Sequence, residues 1–142
     1  MSEAKKDYCV VSVEDWQMQC CGTPFSVGGE VKWLVHKYEG VSEATGKAVE
    51  FYYQNHSDKW QDLFMITGHV DKIYALFCSS EPHPNPPKNQ KNLHHRVYRS
   101  HMSIEYADGW DKSNEGVDLG EYEVVLRDCI IRPAKESEVT FS

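Results

Sequence analysis

The segment Glu14–Trp33, EDWQMQCCGTPFSVGGEVKW, decides the fold. It carries two of the chain's four tryptophans, Trp16 and Trp33, and the adjacent thiols Cys20 and Cys21. Two turn signals interrupt it. At Gly22-Thr23-Pro24 the proline drives Thr23 towards extended angles and the glycine tolerates a tight turn. Gly28-Gly29 is a second turn, of the kind that joins strands. Gln17-Met18-Gln19 is expected to run extended as far as the first of them. From Glu30 the alternation is strict, with Val31, Trp33 and Val35 on one face and Lys32, Leu34 and His36 on the other. Period two means a strand with one buried face. The segment therefore reads as the brace of an extended-chain body.

The same pattern continues on both sides. Residues 1–7 are polar and expected to fray, and Tyr8–Val13 is a β-branched strand entering the core. Val49–Tyr53 is a further strand, and a helical turn is expected at Asp58–Leu63. In the stretch from Thr67 to Cys78, Ile73, Ala75 and Phe77 alternate with Tyr74, Leu76 and Cys78. Apolar residues on both faces predict a central strand. Residues 79–95 form a Pro-rich basic loop, with four prolines between positions 82 and 87. Along Arg96–Tyr106 the alternation points Tyr98, Ser100, Met102, Ile104 and Tyr106 inward. After a turn-rich segment at 108–120, the last strand, Glu121–Arg132, sets Tyr122, Val124 and Leu126 against Val125, Cys129 and Ile131. About six strands with Gly/Pro turns and no 3.6-residue period predict one all-β domain. The best fit is a small, strongly bent antiparallel barrel, SH3-like or OB-like, with a β-sandwich as the alternative.

Charge narrows the partners. The chain of 142 residues carries a formal −7, which argues against binding nucleic acid mainly through phosphate neutralisation. Pro82–Ile104 lacks Asp and Glu and holds Lys88, Lys91, Arg96 and Arg99, so this strip is +4 and the remainder −11. With His95 and Tyr98 interleaved, Lys88, Lys91, His95, Arg96 and Arg99 make a candidate strip for an anionic partner. An acidic protein surface fits it; single-strand nucleic acid is the weaker alternative, because the −11 elsewhere repels a long polyanion. No apolar run is long enough for a membrane helix, and no signal-peptide pattern follows the first lysines. A cytoplasmic location is expected, with the five cysteines as thiols.

Cys20-Cys21 is the sharpest chemical candidate. A thiolate is both nucleophile and soft metal ligand, and neighbouring thiols can close into a strained disulfide. The structural alternative packs one sulfur in the core near Trp16 or Trp33, since free cysteine behaves as a small hydrophobe. Zinc at Cys20 and Cys21 would need two more ligands, and no recognised spacing supplies them. Among seven histidines, His69, at a strand entry, is the one to check for burial. The candidate ligand or thiol site is thus Trp16, Cys20, Cys21, Trp33 and His69. Glu14-Asp15 and the Glu121/Glu123 pair read as solvated charges rather than an acid/base pair. No Ser-His-Asp arrangement, P-loop, Gly-x-Gly-x-x-Gly or His-Glu-x-x-His is present.

Trp16-Gln17-x-x-Cys20-Cys21-Gly22, then Pro24-Phe25, Gly28, Val31 and Trp33, resembles the N-terminal signature of a family of small bacterial proteins of unknown function. The Gly68-His69-Val70 step and Tyr122-x-Val124-x-Leu126 are similar as well. Family members carry an acidic residue after the signature glycine, where this chain has Gly29. The resemblance implies no activity. The expectation is a non-enzymatic binding or interaction module for a protein or small ligand, without a cofactor. The alternatives are a thiol redox or zinc site at Cys20-Cys21 and, more weakly, a single-strand nucleic-acid binder.

Overall fold

Among the described residues eight strands carry the alternation into three dimensions: β1 (Ala4–Glu14), β2 (Phe25–Ser26), β3 (Glu30–Val41), β4 (Ala48–Tyr53), β5 (Phe64–Pro82), β6 (His94–Ile104), β7 (Tyr106–Ala107) and β8 (Asp118–Pro133). One helix, α1 (Asp15–Cys20), follows β1, and single 3-10 turns lie at Trp60–Asp62 and Glu136–Glu138. The computed structural model describes residues 3–20, 22–42, 45–54, 60–113 and 117–138, with Cys20 and Trp60 described by their backbone alone.

The sheet runs β3-β4-β1-β8-β5-β6, and β3 also pairs with β5. That extra pairing closes β3, β4, β1, β8 and β5 into a five-stranded barrel, and β6 is an added strand outside it. All neighbours are antiparallel except β1 and β4, joined in parallel through Val11↔Phe51 and Ser12↔Tyr52. β3 and β4 form a hairpin that returns beside β1, so a parallel pair seals an otherwise antiparallel wall. Of the architectures the sequence allows, this is the small barrel, and the closed wall excludes an open two-sheet sandwich.

β5 is the spine. Its first half pairs with β3 from Phe64 to His69, its second half with β6 from Ile73 to Pro82, and β8 flanks both. Covered on both sides as expected, Ile73, Ala75, Leu76 and Phe77 are all buried. Val31, Trp33 and Val35 face the interior, where Trp33 meets Phe25 and Tyr53 edge-on, with ring centroids 5.0 and 5.5 Å away. Leu34, on the outer face, is buried too, in a second cluster with Leu63, Met65 and Ala134.

Five expectations need correction. Ala4–Asp7 does not fray: Ala4, Lys5 and Lys6 pair with Ile131, Ile130 and Cys129 of β8. Gln17–Gln19 is helical, because β1 has already used its ladder partners by Glu14 and α1 buries Met18 instead. The loop expected over 79–95 is shorter, since Ser79–Pro82 completes β5 and His94-His95 opens β6. β6 covers its inner face only in part: Ile104 packs against the core, but Met102 is exposed, as is Tyr106 beyond it, because this strand hangs on the far half of β5 outside the closed wall.

The fifth correction concerns β8. Inward residues run Tyr122, Val124, Leu126 and then Cys129, Ile131, so the phase slips after Leu126. Asp128 stands at φ 53°, and two steps on β5 (Thr67 to His69) face three on β8 (Ile130 to Arg127). This is a β-bulge, whose extra residue turns Cys129 to the same side as Leu126. Gly68 lies against it: a Cβ there would stand 3.2 Å from the Arg127 carbonyl oxygen.

Beyond β8 the chain is held by a two-point ion pair. Arg132 Nη2 and Nη1 donate to the Glu138 carboxylate at 2.6 and 2.8 Å. The Lys135 backbone N–H adds a third bond at 2.8 Å, and the Glu138 carboxyl is pulled down to about 2. A carboxyl lowered on folding contributes stability above its ordinary value of 4.5 and loses it as pH falls towards the folded value. Glu138→Gln is therefore expected to cost about 1–2 kcal/mol at neutral pH. In denaturant titrations the gap between wild type and variant should close on acidification through that window. A gap independent of pH would show that the carboxylate charge is not what holds this segment.

Candidate functional site

α1 is too short to persist alone, being under two turns. Side chains anchor it at both ends. Buried Gln17 donates its amide to the Tyr53 carbonyl at 3.2 Å, and Gln19 donates to the Gly109 carbonyl at 2.8 Å. Gly22 N–H closes the C-terminal end on the Gln17 carbonyl at 2.8 Å. The organising segment is thus pinned between the end of β4 and the strand-free stretch after β7.

That stretch is itself locked. Gly109 N–H donates to the Tyr122 hydroxyl at 2.8 Å, and the hydroxyl donates to the Asp111 carboxylate. Burial, then the Asp111 hydrogen bond, pushes the Tyr122 phenol well above its ordinary value. Trp110 N–H turns back onto the Asp108 carboxylate at 2.8 Å, while its side chain stands 64% exposed.

Between α1, this stretch and the far ends of β5, β6 and β8 lies a cleft of about 500 Å³. Its polar lining includes Asp15, Gln19, Arg96, Asp111 and Asp118, with Trp110 at its side. Arg96 spans one wall, donating from Nη1 to the Gly120 carbonyl at 2.8 Å and from Nη2 to Asp15 at 3.1 Å. Asp15, Asp111 and Asp118 face Arg96 and Lys112, three carboxylates against two cations. Polar groups thus converge beside an exposed indole, on a wall fixed by hydrogen bonds.

The sequence candidates scatter around this cleft. Arg96 and α1 meet at it, which joins the basic strip to the organising segment. Trp16 lies on α1 with its indole N–H given to Glu14, and is 45% exposed. Trp33 is a core residue. His69 is half-exposed, with Nε2 3.6 Å from Glu30 across the β3–β5 pair. Neither Trp33 nor His69 lines the cleft. Cys21 lies outside the described residues, and nothing of the Cys20 side chain is described, so the zinc and thiol readings of that pair rest on atoms beyond this description. Among the described residues no three His, Cys, Asp or Glu side chains group as metal ligands.

Lys88 and Lys91 are exposed on the β5–β6 loop, whereas Arg99 is ion-paired with Glu81. His95 packs edge-on against His83, centroids 5.3 Å apart. Half of the strip's charge is therefore matched within the chain. Glu121 and Glu123 are not the solvated charges expected. Glu123 is buried, and Glu121 is hydrogen-bonded by Ser12. Burial foremost, and the Glu123 and Glu14 carboxylates after it, raise the Glu121 carboxyl above its ordinary range.

Two features escaped the sequence. Trp110, Asp111 and Asp118 fall in a turn-rich stretch; the available signal was a tryptophan on no predicted strand. The second is a pair of buried thiols, Cys9 and Cys129, with sulfurs 3.1 Å apart. Their separation of 120 positions hides them from any spacing rule.

No helix among the described residues is long and apolar enough to cross a membrane. No curated protein and no solved structure matches the chain. A family model does match, over residues 7–128, and its span takes in both the signature of the organising segment and the cleft-lining residues: the chain belongs to a family of unknown function (DUF6578).

Proposed function

We propose that the protein is a non-enzymatic binding module that takes a small, hydroxyl-rich ligand in the cleft beside α1. The observation that carries this reading is Trp110. A large indole held 64% exposed costs apolar hydration, and here its backbone is fastened by the Gly109–Tyr122–Asp111 bonds. An indole face suits the C–H face of a sugar-like ring, while carboxylates, the Gln19 amide and Arg96 suit its hydroxyls. The slight acid excess disfavours an anionic ligand such as a phosphate ester. That Cys9 and Cys129 stand as thiols, not as a disulfide, is in keeping with a reducing, cytoplasmic setting.

The test is a titration with neutral mono- and oligosaccharides, followed by tryptophan fluorescence and by amide shifts. Saturable shifts are expected at 15–19 and 109–112. Trp110→Ala should weaken binding about ten- to thirtyfold, the size of a hot-spot truncation of about 1.4–2 kcal/mol, with the circular dichroism unchanged. If no sugar shifts these amides while an oligonucleotide shifts those of 88–99, the basic strip is the binding face and the cleft reading fails. The thiol or zinc alternative at Cys20-Cys21 is separated by metal analysis: stoichiometric zinc in fresh protein would favour it.

A further inference from the structure

The first and last strands of the barrel carry one cysteine each, and both sulfurs are buried in its core. Cys9 Sγ donates to Cys129 Sγ at 3.1 Å, closer than two sulfurs usually rest without a bond or hydrogen bond between them. A disulfide at about 2.05 Å asks the pair to close by only about 1 Å. Regular alternation would not place them so. The bulge at Asp128 turns Cys129 inward, and its sulfur comes to lie over Gly68 of β5, at ordinary van der Waals distance (3.5 Å) from where a Cβ there would stand. Two separate features, the bulge and the bare Gly68 backbone, thus meet at one sulfur–sulfur contact.

We propose that Cys9 and Cys129 are a reversible dithiol–disulfide couple, oxidised by a small peroxide, that fastens β1 to β8. The Cys129 sulfur accepts the hydrogen bond, which lowers that thiol's pKa, while donating it and being buried raise that of Cys9. Cys129, the acceptor of that hydrogen bond, is the first nucleophile. Its thiolate attacks one peroxide oxygen, the O–O bond breaks, and the departing hydroxide takes up the proton that the Cys129 thiol released and leaves as water, giving a sulfenic acid. Cys9 then gives up its proton and attacks that sulfur, the S–O bond breaks, and a second water leaves. Two thiols and one peroxide become one disulfide and two waters, with two electrons passed to oxygen. Cys9 also borders an open cleft of about 490 Å³ with Tyr8, Lys47, Glu50 and Tyr74, the side from which peroxide approaches.

The bond would span 120 positions. Closing so long a loop constrains the unfolded chain strongly, so oxidation stabilises the barrel. It also stiffens β8, whose Tyr122 holds the Trp110 stretch.

The experiment treats the intact protein with hydrogen peroxide, then quenches, counts thiols and maps peptides by mass. Expected are the loss of two hydrogens, a crosslinked peptide joining Cys9 to Cys129, and a thermal midpoint several degrees higher that reverts with dithiothreitol. Cys9→Ala and Cys129→Ala should each abolish the midpoint rise. The proposal is overturned if both thiols stay reduced under peroxide that fully oxidises an exposed model thiol. It is equally overturned if the crosslink maps to Cys20, Cys21 or Cys78, or if the midpoint does not rise. The wild-type mapping decides even where a variant folds poorly.

Discussion

Trp33→Ala is expected to lower the unfolding free energy by about 3–5 kcal/mol, the cost of truncating a buried aromatic. The indole is 8% exposed, on the inner face of β3 with Phe25 on one side and Tyr53 on the other. Phe25 touches Tyr122 in turn, centroids 6.0 Å apart, so the hole would open beneath the residue that anchors the Trp110 stretch. Trp16→Ala supplies the contrast: that ring is half in solvent and should cost about 1 kcal/mol or less. Urea unfolding of the two variants side by side is the measurement. Equal costs would mean that the brace of the barrel is not Trp33.

Gly109→Ala is the second large effect. Gly109 has φ +92°, and a Cβ there would stand 2.9 Å from Met18 Cβ and 3.1 Å from the Gln19 backbone nitrogen. The left-handed angle costs about 1–2 kcal/mol, and the collision with α1 about 1–3 kcal/mol more. Gly28→Ala isolates the first contribution, because Gly28 has φ +89° and nothing within 4 Å of the added methyl. The difference between the two variants therefore reads the contact between α1 and the cleft wall. A Gly109→Ala protein no less stable than Gly28→Ala would show that α1 gives way at no cost. The cleft would then be loosely built, and the binding reading would lose its rigid wall.

How far the sequence could be read follows from what each pattern reports. Val31, Trp33 and Val35 were legible because alternation and burial coincide wherever a strand lines a closed wall. In β6 the same alternation misled in part: it records a two-sided strand but not how far a second layer covers either side, and here Ile104 reaches the core while Met102 stays exposed. α1 was missed because six residues are too few to show a 3.6-residue period against the extended reading of their neighbours. The phase slip in β8 was invisible because Asp128, not glycine, takes the positive φ. Arg96 was legible as charge, but not its partner Asp15, 81 positions away, and with that partner the cleft itself. Sites assembled from α1, β5, β6 and the stretch after β7 leave no local spacing to find.

The parallel seam between β1 and β4, together with the bonding of β1 to β8, has a consequence for how the molecule assembles during synthesis. The opening strand emerges from the ribosome long before its C-terminal neighbour exists, and until then one of its margins stays unsatisfied. Such a chain has high contact order and gains little from early local structure. Its folding belongs on the millisecond-to-second scale of non-local β proteins, not on the microsecond scale of helical bundles.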